Sequence, residues 1–473
     1  MMEKHQAFLG REPVESSAEF MGRQAELQWI ADKLSRPMPQ NCNIIGEPRI
    51  GKTSLLYHVY QEKIGLPDGA VGLYVWIRLV ELTDYRSAAF WRFLLQQLFH
   101  ALRQAGHSVE SAVLHESDAD QRDLFDVVDE TVEAVLAAGE ITRMIFVIDD
   151  FDALVPGIRT VDLDWLRSLA TRFGDAVGFV IGSTDSLLAI SERAVRHADQ
   201  SGLQMVSPFA NIFHNLQLGL LTRAEAEALC HFGSKVEAQD ALSPGEIGFL
   251  LNEAGRHPDL LKVALGHFFP ARQISEPDEL FEDVQSDFRF DSHVRWLCNL
   301  LFSRRGDEEK QALFALAQET AVSADPVILN RLKRQLGLVE KRNGRLALFS
   351  DAFRHWTQRQ SLDEMITEPG ETAVQPPEEP TLDYIPASRT VRLSSGEEVR
   401  LTPLENRLLV YFLEHVNTVC TIDELLANVW GPNKSRGVVE KGVNRLRVKI
   451  EQDPKRPRFI LSARGEGYLL RRR

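Results

Sequence analysis

No stretch of the sequence strings together the roughly 18 apolar residues needed to cross a bilayer, so a membrane-spanning protein is not expected and no membrane partner is implied. Cysteine is scarce. Cys42, Cys230, Cys298 and Cys420 stand apart, with no C-x-x-C pair and no histidine at zinc spacing, which excludes a disulfide frame or zinc site as the organising principle and leaves four buried thiols. The first residues, Met1 to Arg11, lack an apolar run behind a basic start, so nothing reads as a secretory signal and the cytoplasm is the expected compartment. Positive charge is also in deficit: 54 Lys and Arg stand against 68 Asp and Glu, a net −14.

That deficit is unevenly spread. Pro386 to Arg473 carries 17 Lys and Arg against 10 Asp and Glu, a net +7, which leaves about −21 on the rest of the chain. A basic module at the end of an acidic body is a charge asymmetry that points to nucleic acid as partner of the module alone. At 473 residues the chain is too long for one core and predicts about three domains.

Between Asp363 and Ile385 the sequence turns to Glu, Pro and Thr, with too few apolar residues for a core, and reads as an interdomain linker. From about Glu19 to Gly266, short β-rich apolar runs alternate with amphipathic helical stretches, the pattern of a parallel sheet covered by helices. From Ser275 to Gln360 the pattern is mostly helical and ends, around Leu338 to Phe349, as strand, turn, strand. Helices followed by a hairpin occur before and after the linker, as two winged-helix units would require.

Asn43-Ile44-Ile45 forms a short apolar strand that runs into Gly46-Glu47-Pro48-Arg49-Ile50-Gly51-Lys52-Thr53 and then the helix start Ser54-Leu55-Leu56. This is G-x-x-x-x-G-K-[ST] in its required strand–loop–helix context. Glycines let backbone N–H groups curl round phosphates, and the following helix offers a positive dipole end. Lys52 is placed to reach the β/γ-phosphates, and Thr53 to ligate Mg²⁺. A P-loop needs a second acid for the metal from the end of a neighbouring buried strand, and Met144-Ile145-Phe146-Val147-Ile148-Asp149-Asp150-Phe151-Asp152 supplies it. Asp149 is the candidate metal-shell residue, Asp150 the candidate water-polarising base and Asp152 a loop or cap residue. A third strand, Val177 to Thr184, ends in hydroxyls placed to sense a γ-phosphate. ATP with Mg²⁺ is the implied ligand; whether it is hydrolysed or only held is open on these residues.

These motifs resemble the STAND branch of AAA-like P-loop ATPases, relatives of origin-recognition ATPases, over about Glu19 to Gly266. Phe20-Met21-Gly22-Arg23-Gln24-Ala25-Glu26-Leu27 looks like the family's F-x-G-R-x-x-E-L entry, and Gly255-Arg256-His257-Pro258 like its G-x-P motif. The resemblance implies that Gly22 and Arg23 lie near the adenine, and that His257 and Pro258 face the nucleotide from a helical lid. An arginine finger is not assignable among Arg172, Arg193 and Arg196.

Leu401-Thr402-Pro403-Leu404-Glu405 starts a helix, with Thr402 as cap, Pro403 in the first turn and Glu405 completing a capping box. A second helix runs from Ile422 to Trp430 and stops at Gly431-Pro432. A third, from about Gly437 to Glu451, has Val438, Val443, Leu446 and Ile450 on one face and Lys441, Asn444, Arg445, Arg447 and Lys449 on the other. Phe459 to Leu470 closes as a glycine-turned hairpin, giving a helix-turn-helix with a wing. The run Leu401 to Leu470 resembles the winged-helix effector domain of response regulators. The resemblance implies that the third helix enters the major groove, with Asn444 and Arg445 reading bases and Lys441, Arg447, Lys449 and Arg464 holding phosphates. Glu466, in the wing turn, departs from the family's apolar residue. No receiver domain precedes this module in the chain.

The expected architecture is a multidomain chain: an α/β P-loop NTPase core (1–200), a helical lid (201–272), a middle winged-helix-like domain (273–362), the linker (363–385) and a C-terminal winged helix-turn-helix domain (386–473) that binds duplex DNA. Three outputs fit: an ATP-operated transcription regulator, a signalling or defence ATPase that docks partners through its winged helices, and a DNA-remodelling ATPase. Slow regulatory ATP hydrolysis, a homo-oligomer in the ATP state and a protein or ligand input are compatible with each.

Overall fold

A computed structural model describes the chain outside residues 1–12, 15, 17–18, 83–84, 108–120, 156, 199–206, 238, 321–323, 343, 361–381, 386–388, 394–397, 416–419, 432–435, 452–458, 464–466 and 471–473. The chain divides into two compact units, Met1–Lys262 with Ser323–Phe349, and Val263–Val322 with Ser350–Arg473.

The first unit opens with α1 (Gln24–Leu34), β1 (Asn41–Gly46), α2 (Lys52–Gln61), β2 (Gly72–Arg78), α3 (Ser87–Gln104) and α4 (Gln121–Ala137). It continues through β3 (Arg143–Asp149), α5 (Thr160–Arg172), β4 (Val177–Ser183), α6 (Leu187–Ala198) and β5 (Phe213–Leu218). The five strands form one parallel sheet in the order β2-β3-β4-β1-β5. Every residue of β3 and β4 is buried, as expected for parallel strands covered on both faces. Side chains alternate across such a strand. Met144, Phe146 and Ile148 face a core shared with Phe90, Trp91, Leu163 and Leu166, whereas Ile145 and Val147 face Leu27, Ile30, Leu55 and Leu56. Continuing that alternation puts Asp149 on the second face, the side of the helix that follows the glycine loop.

The helices α7 (Arg223–Val236), α8 (Pro244–Glu253) and α9 (Pro258–Ile274) follow the sheet. Capping boxes start the first two, Thr222 with Glu225 and Ser243 with Glu246. The division between units falls within α9. After α10 (Leu280–Phe290), α11 (Ser292–Ser303) and α12 (Asp307–Ala317) come α13 (Pro326–Arg334) and an antiparallel hairpin of β6 (Val339–Arg342) and β7 (Arg345–Leu348). α13 and the hairpin belong to the first unit, α10 to α12 and α14 (Asp351–Gln358) to the second.

The C-terminal part of the second unit begins with an antiparallel sheet of β8 (Leu382–Ile385), β9 (Thr390–Leu393) and β10 (Glu398–Arg400). Its first strand falls inside the stretch read as linker. Leu-Asp-Tyr-Ile shows no regular alternation of apolar and polar residues, and four residues after a proline-rich run are too few to stand out. Then come α15 (Pro403–Glu414), β11 (Cys420–Thr421), α16 (Ile422–Leu425) leading into a π-turn at Leu426–Trp430, α17 (Arg436–Ile450), β12 (Ile460–Ala463) and β13 (Gly467–Leu470). The expected capping box of Thr402 and Glu405 is present. Val439, not Val438, joins Val443, Leu446 and Ile450 in the core, with Leu408, Phe412 and Leu425. Gly442 lets α17 approach Trp430, since a Cβ there would lie 2.3 Å from its ring. All four cysteines are buried thiols.

Candidate functional site

The loop Gly46 to Thr53 joins β1 to α2, and Arg49 (φ 64°) and Gly51 (φ 101°) bend it through left-handed backbone. That curl lines a cavity of about 330 Å³ with Pro48, Arg49, Ile50, Gly51, Lys52, Thr53 and Ser54. The Lys52 ammonium is buried in the loop, 2.8 Å from the Gly46 carbonyl and 3.1 Å from that of Glu47. Burial pulls its pKa down, while Asp149, Asp152, Asp150 and Glu47 pull it back up.

Asp149 sits at the end of β3 and is fully buried, and neither carboxylate oxygen makes a hydrogen bond to a described group. The Thr53 hydroxyl lies near enough to lower its pKa somewhat, as Lys52 does. Burial first and Asp150 second push the carboxyl up to about 6. Gly182 on β4 makes the room: a Cβ there would stand 2.9 Å from Asp149 Oδ1 and 2.5 Å from Leu56. A buried carboxylate is costly unless a cation compensates it, so Asp149 with the neighbouring Thr53 hydroxyl is a donor set that fits a divalent metal.

Asp150 follows in left-handed backbone (φ 57°), lines the cavity, and feels Lys52 and Arg78. Burial pushes its carboxyl above the ordinary range. Asp152 is the loop-tying residue expected of it, accepting the Thr184 and Asp185 N–H groups at 2.5 and 3.1 Å. The two hydroxyls ending β4 separate: Ser183 is buried and donates to Asn43 Oδ1 at 3.0 Å, whereas Thr184 lines the cavity.

The other residues carried over from the resemblance divide similarly. Gly22 takes left-handed backbone (φ 80°) that a side chain would strain, and a Cβ there would press on the Glu225 carboxylate at 2.9 Å. Arg23 is buried, and its guanidinium bonds the carbonyls of Ile50 and Gly219 at 3.0 and 2.7 Å, tying the glycine loop to the chain beyond β5. The Ser54 hydroxyl accepts the Val14 N–H at 2.9 Å. Pro258 lines the cavity, while the buried His257 ring lies 6.2 Å from that of Phe349. Gly255 (φ 65°) fits beneath the Phe349 carbonyl, 2.4 Å from where a Cβ would be, and Arg256 reaches Glu340 of the hairpin at 2.9 Å. Of the arginines left open as fingers, Arg172 is held by Asp129 and Glu133 and Arg193 pairs with Asp185 at 2.8 Å; the Arg196 side chain lies outside the described residues.

Sequence reasoning missed Lys262 and Arg78, which also line the cavity. Lys262 had a signal: it lies four residues after Pro258 on α9, and so on the same helical face. Burial lowers its pKa, and Asp259 is the first group opposing that.

In the C-terminal part, α17 presents Lys441 and Asn444 to solvent, with Arg445 about one third exposed. Arg447 and Lys449 require correction as phosphate-holding residues. Arg447 is buried, donates to the Ile460 carbonyl at 2.9 Å and lies over the Tyr468 ring. Lys449 is buried with its ammonium 2.7 Å from Glu405, whose carboxylate also caps α15 at Thr402. Burial raises the Glu405 pKa and Lys449 opposes it. Arg464 and Glu466 lie outside the described residues.

Residues 19–181 match the family described as AAA ATPase domain, and residues 396–470 the family described as transcriptional regulatory protein, C terminal. The chain thus joins an AAA ATPase domain, which implies use of a nucleotide, to a DNA-binding domain of the response-regulator type. Among curated proteins it is similar to the DNA-binding response regulator MtrA of Mycolicibacterium smegmatis, 44% identical over 87 residues, or 18% of this chain and 37% of that protein. The chain therefore spans little more than a third of that relative's length. Among solved structures, the Walker-type ATPase PABY2304 of Pyrococcus abyssi matches 74% of this chain and 99% of its own at 13% identity and a TM-score of 0.50, a likeness of fold. The ORC2 protein of Aeropyrum pernix matches 76% of this chain and 97% of its own at 14% identity and a TM-score of 0.45. No helix among the described residues is long and apolar enough to cross a membrane.

Proposed function

We propose that the chain is an ATP-operated switch whose output is DNA binding by the C-terminal domain, and that it regulates transcription from the cytoplasm. The observation that carries this reading is Asp149, a buried carboxylate beside a phosphate loop with the Thr53 hydroxyl and Lys52 close by, in a chain that also ends in a DNA-reading domain. Lys52 leaves the Gly46 and Glu47 carbonyls to neutralise the β/γ-phosphates, and the N–H groups of the loop and of the first turn of α2 hold their oxygens. Thr53 and Asp149 would hold a Mg²⁺ ion, and the chemistry such an ion would supply is neutralisation of charge at the terminal phosphate. Asp150, at the cavity edge near Lys52 and Arg78, orients and deprotonates the attacking water. Pro258 and Lys262 close the site from α9, so that the nucleotide fixes the angle of the helices after the sheet. Arg23 acts as a positioning residue. Arg256 carries that angle into the β6–β7 hairpin.

On the DNA side, Lys441, Asn444 and Arg445 form the contact set, with Asn444 and Arg445 on base edges. Footprinting of the full chain with Mg²⁺ and ATP on genomic fragments tests this reading. A bounded protected site is expected; uniform weak protection, or none, would make the C-terminal domain a protein-docking module instead.

A further inference from the structure

The second unit holds a contact that bears on how DNA binding is controlled. α10 buries Leu280, Val284 and Phe288 and turns Ser286, Asp287 and Phe290 toward α17. Asp287 is 11% exposed and pairs with Arg445 at 3.1 Å. The Ser286 hydroxyl accepts from Lys449 Nζ at 2.6 Å, and that ammonium lies 5.4 Å from the Phe290 ring. One turn earlier, Glu282 meets Arg400 at 3.3 Å. Residues 282, 286 and 290 fall on one helical stripe, with 283 and 287 beside it. Asp287, Ser286 and Phe290 of α10 therefore lie against the C-terminal half of the helix that carries the DNA contact set.

We propose that α10 masks the DNA-reading helix: Asp287 holds the Arg445 guanidinium where a base edge or phosphate would take it, so α10 and duplex DNA compete for α17. The inference rests on the DNA-binding reading above and adds the element that restrains it. Two features fit a contact built to open. The contact of α10 with α17 is one ion pair, one hydrogen bond and the Phe290 ring beneath the Lys449 ammonium, and a cavity of about 280 Å³ lined by Glu282, Ser286, Arg289, Arg400 and Thr402 lies between α10, β10 and the start of α15.

The test uses the full chain and a mixed-sequence duplex, with affinity followed against salt. Asp287→Asn keeps the shape of the side chain and removes the charge. It should tighten binding about 5-fold, the scale of a partly exposed ion pair. Glu308→Gln, the same charge change on the exposed start of α12, should leave affinity nearly unchanged. In an Arg445→Ala background, Asp287→Asn should give no gain. In wild type, saturating duplex should speed hydrogen exchange of the α10 amides, a readout that needs no variant to fold. Equal gains from Asp287→Asn and Glu308→Gln, an undiminished gain without Arg445, or unchanged α10 exchange on a bound duplex would overturn the mask. If the folded wild-type chain and the Asp287→Asn variant both fail to bind duplex at low salt, the DNA-binding reading itself falls, and the mask with it.

Discussion

Asp149→Asn should make the nucleotide-free protein more stable while removing its response to Mg²⁺. The folded carboxyl titrates at about 6 rather than 3.8, chiefly because it is buried. The folded state therefore holds an extra proton between those two values, and the stability of the fold declines as pH rises through that window. Each tenfold in proton affinity is worth about 1.4 kcal/mol, so the ionised carboxylate costs the fold about 3 kcal/mol at pH 7. Asparagine removes that cost. Lys52 then loses the strongest of the anions that support its charge, which takes part of the gain back and leaves about 1–3 kcal/mol. The assay is urea unfolding in chelator at pH 4 and pH 7, read by the fluorescence of Trp91 and Trp165 in the first unit. The variant should match wild type at pH 4, exceed it at pH 7, and gain nothing from Mg²⁺ with nucleotide, which should stabilise wild type by mass action. A variant less stable than wild type at pH 7 in chelator would refute the reasoning, because it would show that the carboxylate is a structural acceptor.

Lys449→Ala should destabilise the C-terminal domain by about 3–5 kcal/mol, since it strands the buried Glu405 carboxylate, and Lys449→Met with Glu405→Gln should recover most of the loss; a stable Lys449→Ala variant with only a reduced salt slope would restore that lysine to the DNA surface. Arg445→Ala should cost about 1–3 kcal/mol on a preferred site and relax the choice of base there, measured by competition between site variants. Asp150→Asn should keep ATP affinity and lose turnover, checked by equilibrium binding beside phosphate release; full turnover would move the base elsewhere.

The phosphate loop was legible because its chemistry is local: Gly46 to Thr53 carries strand, turn and helix signals in fourteen consecutive residues with their flanks. Asp149 was legible for the same reason, as the first acid after a buried strand. The capping box at Thr402 could also be read directly. What sequence could not show was long-range pairing. Glu405 and Lys449 are 44 positions apart, and each looked complete without the other, Glu405 as a cap and Lys449 as part of a basic face. Helical periodicity placed Arg447 and Lys449 opposite the apolar stripe but could not reveal that β12 and α15 cover that side. The first strand of the C-terminal sheet was hidden by its proline-rich neighbours, whereas Lys262 could have been read from its place one turn after Pro258.

The central claim is that nucleotide state governs DNA binding, and the affinity of the full chain for a footprinted duplex with Mg²⁺ and ATP, against the same titration without nucleotide, tests it most directly. The account predicts that the two affinities differ several-fold and that Lys52→Ala, which removes the ammonium neutralising the β/γ-phosphates, binds duplex identically in both conditions. Equal affinities in wild type under conditions where ATP is measurably bound would contradict it.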